Sequence, residues 1–73
     1  MNSIKFKHYL TGKDVVIYNP KDNILGVVVG PVQGDKTGQD RTWLLLKDFE
    51  PTAVDGTAEE ILTTIENHIK EQQ

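Results

Sequence analysis

Cysteine is absent from this chain of 73 residues, so no disulfide staples it and no thiolate can hold a metal. Histidine occurs only as His8 and His68, near opposite ends of the chain, which is too little for an all-histidine zinc site. The single serine, Ser3, sits at an end prone to fraying, a poor place for a catalytic nucleophile. Long apolar runs are lacking, whereas a membrane-spanning helix needs about 20 apolar residues. The opening residues Met1, Asn2, Ser3, Ile4 and Lys5 show no apolar stretch of a secretory signal. A cytoplasmic protein without cofactor or metal is the expectation. The net charge of −3 is too small for a disordered acidic chain and has the wrong sign for a generic nucleic-acid binder.

What is present reads as one small α+β domain spanning 1–73, in the order β-β-β-β-α. The first segment alternates: Ile4, Phe6, His8 and Leu10 fall on one face, Lys5, Lys7 and Tyr9 on the other. That period of two marks a half-buried antiparallel strand. Gly12 supplies a tight turn into Asp14–Tyr18, which is β-branched and aromatic and reads as a second strand. Asn19, Pro20, Lys21, Asp22 and Asn23 carry turn chemistry. A third strand is expected over Ile24–Val32, with Gly26 and Gly30 marking a bulge or a close backbone approach and Pro31 an exit. A fourth is expected over Arg41–Phe49, ended by Glu50-Pro51 and followed by a loop through Gly56. Ala58, Ile61, Leu62, Ile65 and Ile69 share one face of a C-terminal amphipathic helix, and Thr57 to Glu60 has the form of a capping box.

A four-stranded antiparallel meander carrying this one helix leaves a surplus of apolar residues. Strands two, three and four are apolar on both faces, whereas a helix of about 22 Å covers one side only. The second face can be buried by curling toward a small barrel, by pairing with a second copy, or by docking another protein.

Charge is also uneven: residues 51–73 hold Lys70 against Asp55, Glu59, Glu60, Glu66 and Glu71, while Lys5, Lys7, Lys13 and Lys21 make the N-terminal end mildly basic. The loop Gly34–Arg41 combines glycine, lysine and threonine, but its order is not that of a phosphate-binding loop and it leads into a strand. It also lacks the carboxylates and closing glutamate of a calcium loop. The leading expectation is a non-enzymatic protein-binding module, an adaptor or inhibitor of a larger machine of the kind small chains from bacteria and phages often provide. Binding energy concentrates in aromatic and arginine anchors. The candidate contacts are accordingly Arg41, Trp43, Phe49 and Tyr18, with the functional surface expected on strands three and four rather than on the polar outer face of the helix. The alternative is a nucleic-acid-binding module in which Lys5, Lys7, Tyr9, Arg41 and Trp43 pair cations with stacking rings.

Two short stretches bear family likenesses. Arg41-Thr42-Trp43-Leu44 with Thr57-Ala58-Glu59-Glu60 resembles the plant ethylene-response type of DNA-binding domain, which would imply a three-stranded sheet and a helix. The spacing between the pieces is longer than in that family, and its arginine-rich strands are missing. Gly12-Lys13-Asp14-Val15-Val16 with Leu25-Gly26-Val27-Val28-Val29 resembles KOW-type small barrels. Neither likeness carries a functional residue onto this chain.

Overall fold

A computed structural model describes residues 2–71; Met1, Gln72 and Gln73 of the expected 1–73 span lie outside the described residues. The chain forms β1 (Ser3–Lys7), β2 (Asp14–Tyr18), a single helical turn α1 (Pro20–Asn23), β3 (Ile24–Pro31), β4 (Asp40–Leu46), β5 (Thr52–Val54) and α2 (Ala58–Glu71). The class is α+β with a C-terminal amphipathic helix. The expected four-stranded meander is replaced by five strands in two antiparallel sheets, β1-β2 and β3-β4-β5.

The β1-β2 hairpin keeps the register Ile4↔Ile17 and Phe6↔Val15. Ile4, Phe6 and Ile17 are buried and Val15 packs beside them, so β1 resolves as its alternation suggests and the pairing turns Val15 and Ile17 of the doubly apolar β2 inward. The hairpin turns sooner than expected. The His8 ring accepts the amides of Leu10 and Thr11 through Nδ1, at 3.2 and 3.4 Å, and His8 O accepts Gly12 N at 3.1 Å. Local bonding of this kind competes successfully with strand extension. Leu10 therefore leaves the apolar face to which its spacing assigned it and stands in solvent.

β3 contains the bulge that Gly26 hinted at: Ile24 faces Leu46 and Gly26 faces Leu45, leaving Leu25 unpaired. The extra residue resets the side-chain alternation. Ile24 and Val27 both pack toward the core, although simple alternation placed Ile24 with Val28. β4 ends at Leu46 rather than Phe49, because Lys47 and Asp48 turn the chain, with Asp48 at φ 63. Phe49 is thereby released from the sheet. The stretch expected as loop then supplies β5, paired with β4 through Thr42↔Val54, Trp43↔Ala53 and Leu44↔Thr52.

The two sheets meet at one corner. His8 bridges Val54, flanked by Asp55 N donating to Lys7 O at 2.8 Å and Tyr9 N to Ala53 O at 3.3 Å. They do not close into a barrel: among the described residues β2 pairs with β1 alone, and β3 with β4 alone. α1 separates these two edges. It is held by Asn23, whose Nδ2 donates to Tyr18 O and whose carbonyl accepts Lys47 N.

Between the sheets lies a common core of Ile4, Phe6, Ile17, Leu44 and Val54, completed by Ile61 and Ile65 of α2. The helix begins with one half of the expected capping box, the Thr57 hydroxyl accepting the amide of Glu60 at 3.1 Å. Gly56 sets the approach at φ 114, a conformation that L side chains avoid, and a Cβ there would meet Ile61 Cδ1 at 3.3 Å. Ile69 packs against the core edge. Leu62, grouped with these by spacing, is instead 43% exposed. His68 lies at the rim, its Nε2 2.9 Å from Asn2 Oδ1.

Candidate interaction surface

The sequence-derived contact residues separate into two places. Arg41 and Trp43 project from the same side of β4. The Arg41 guanidinium carbon lies 5.4 Å from the centre of the Tyr9 ring, within cation–π range. Arg41 Nε donates to Asp35 Oδ2 at 3.1 Å. Asp35 also accepts the Thr37 amide and hydroxyl, at 3.0 and 2.9 Å. Those Thr37 bonds, then the Arg41 bond and charge, hold the Asp35 carboxyl below its ordinary value. Trp43 is half-buried and its indole N–H donates to Gly30 O at 3.1 Å. Its donor is thus satisfied within the sheet, and the β3-β4 loop is tied down by the only arginine.

Lys5 and Lys7 lie elsewhere, on a shallow groove of about 360 Å³ between β1 and the start of α2. That groove also carries Asp14, Asp55 and Glu60. Lys7 Nζ pairs with Asp14 Oδ1 at 2.6 Å, and this hydrogen bond, then the charge of Lys7, lowers the Asp14 pKa. The fold unites Tyr9 with Arg41, but sets Lys5 and Lys7 among carboxylates rather than in a cationic strip.

Tyr18 and Phe49 come together. They border a groove of about 400 Å³ that touches four successive residues of β2, Val15 to Tyr18. A cavity lined by residues of both strand faces runs along the strand's edge rather than over one face. Its far bank is Leu46, Phe49 and Thr52, with Asn23 closing one end. No charged side chain lines it. Tyr18 is 58% and Phe49 76% exposed, while Val15, Ile17 and Leu46 form the apolar floor. Val16, Asn23, Leu46 and Thr52 were not singled out from sequence. Val16 shares a face with Tyr18 in the sequence, and the pairing with β1 turns that face outward; the others are placed by the turn at Lys47 and by α1.

Among the described residues, no three His, Asp or Glu side chains gather where a metal could bind, and no helix is long and apolar enough to cross a membrane. Comparison with family models, curated proteins and solved structures finds no match to this chain.

Proposed function

We propose that this chain is a non-enzymatic binding module, an adaptor or inhibitor, that docks another protein through the groove between β2 and the β4–β5 loop. The observation that carries this reading is the pairing of Tyr18 and Phe49 as exposed rings on either side of an uncharged apolar groove. Exposed aromatic rings lose water at a modest entropic cost when covered and serve as anchors at interfaces. Arg41 and Trp43 take a supporting part, since their polar groups are already engaged within the β3-β4 hairpin. The acidic helix end and the dispersed lysines favour a protein over a nucleic acid as the partner.

The test is differential capture from extracts of the source cell by the wild-type chain, by Tyr18→Ala with Phe49→Ala, and by a control altered on the outer helix face, Glu66→Ala with Lys70→Ala. The expected result is a protein retained by the wild type and by the helix-face control, and lost with the groove variant. Equal retention by all three, or retention dependent on Lys5 and Lys7 and abolished by nuclease, would refute the groove as the docking site.

A further inference from the structure

Resting on that reading of the groove, we propose that its ligand is an extended peptide segment that adds as a strand to the free edge of β2 and seats an apolar side chain in the groove.

The hairpin's own hydrogen bonds show which backbone groups of β2 remain open. Asn19 N donates to Asn2 O at 2.8 Å, and His8 N to Lys13 O at 2.9 Å. These bonded pairs bracket the ladder at both ends. In an antiparallel ladder bonded pairs recur every second residue, so Ile4↔Ile17 and Phe6↔Val15 are the bonded pairs within it. Val16 and Tyr18 therefore turn their amides outward, away from β1, as does the carbonyl of Val16. The Tyr18 carbonyl is already taken by Asn23 Nδ2 at 2.7 Å, which marks where an added strand must stop. The same alternation accounts for the Lys7 carbonyl at the end of β1 and the Tyr9 amide just beyond it, which face outward and are met by the β5 segment.

Proteins usually guard such edges with bulges, proline or charge. Among the described residues, the free edge of β3 has two of these devices, the bulge at Leu25 and Pro31, which lacks an amide proton, and the outer edge of β1 before Lys7 carries the charge of Lys5. β2 has no bulge and no proline, and its one charged residue is Asp14 at its start. The unguarded edge is thus the one that borders the apolar groove.

The geometry also selects the occupant. A strand laid along β2 alternates its side chains between the floor of Val15, Ile17 and Leu46 and the outer side of Val16 and Tyr18. Main-chain bonding to the edge supplies affinity and the groove supplies selectivity, as in other strand-addition sites. The inward residue must be uncharged and apolar, since the groove offers no counter-charge. A far bank of Leu46, Phe49 and Thr52 stands beside this edge, so an incoming strand meets side chains there as well as the backbone of β2; pairing of β2 with a second copy is an outcome of the test.

The experiment selects linear peptides from a random display library on the full chain. It then measures amide exchange and chemical shifts of the protein with each synthetic peptide, and with versions N-methylated at alternate positions. The expected result is peptides with apolar residues at alternate positions, protection of the Val16 and Tyr18 amides, and affinity that falls about tenfold or more in one of the two N-methylated phases. Peptides that bind and are lost with Phe49→Ala, yet leave those amides unprotected and tolerate both methylation phases, would overturn strand addition and leave the groove as a docking site. Binding indifferent to Tyr18→Ala and Phe49→Ala would overturn both, and selection of no peptide would overturn the peptide assignment. Protection of Val16 and Tyr18 that rises with concentration of the protein alone would assign the edge to a second copy and overturn the peptide assignment.

Discussion

Arg41 Nε lies 3.1 Å from Asp35 Oδ2, with the guanidinium side chain 23% and the carboxylate side chain 8% exposed. The only arginine of the chain therefore closes its own loop. Arg41→Ala is expected to lower the melting temperature modestly and to speed amide exchange at Thr37, which depends on the same carboxylate. Arg41→Lys should rescue only part of the effect, because an ammonium cannot reproduce the guanidinium geometry over Tyr9 and toward Asp35. Unchanged exchange at Thr37 in Arg41→Ala would show that the loop holds itself.

Acid should weaken the fold through Asp35 and Asp14. Both have pKa values below the ordinary 3.8: Asp35 chiefly through the Thr37 amide and hydroxyl, Asp14 chiefly through its bond to Lys7. A carboxylate with a lower pKa in the folded than in the unfolded chain binds fewer protons when folded. Its contribution is fully present above 3.8 and is lost as pH falls through the lowered value. NMR titration of the two carboxyls should give midpoints below those of the unfolded chain, and Asp35→Asn should flatten the acid limb of the melting curve. Midpoints at the ordinary value would contradict these contacts.

The helix offers a contrast between neighbours. Ile61 and Ile65 are buried in the core shared by both sheets, and truncation of either to alanine should cost about 2–5 kcal/mol. Leu62, which follows Ile61 directly, should cost under about 1 kcal/mol, as an exposed side chain does. Urea denaturation of the three single variants measures this. A Leu62→Ala cost equal to that of Ile61→Ala would mean that the helix is rotated about its axis relative to the structure.

Trp43 provides an optical check on the sheet. Half-buried, with its N–H bonded to Gly30 O, it should emit at an intermediate wavelength and be partly quenched by acrylamide. Trp43→Phe retains a ring and removes the donor, so it should cost about 1 kcal/mol. Occupation of the groove beside β2 should leave the emission nearly unchanged, because Trp43 is not among the groove's lining residues. A large blue shift on peptide binding would move the binding surface to β4.

Several features were legible in single residues. The span of β2 follows from five residues of β-branched, aromatic and turn-adjacent character, but with apolar residues on both faces its inner face was decided by the pairing with Ile4 and Phe6. The start of α2 follows from Thr57, and its buried stripe from the spacing of Ile61 and Ile65. The anchors Tyr18 and Phe49 could be picked out as aromatic rings, but not as a pair.

The rest required the folded chain. β5 is three residues long, too short to show a period, and exists because β4 and His8 of the hairpin satisfy its backbone on both sides. The bulge at Leu25 moves Ile24 to the core face, a one-residue change that strand propensity does not encode. Leu62 lies within the arc that helical spacing allows, but among the described residues the helix meets the apolar core through Ile61, Ile65 and Ile69 while Leu62 stays exposed. Local composition decided the four longer strands in outline and the C-terminal helix, because turn, cap and alternation signals act over a few residues. How the strands divide between two sheets, which edge stays open, and which rings meet across it were decided by contacts distant in the chain, since only those bring β2, Leu46 and Phe49 to one groove.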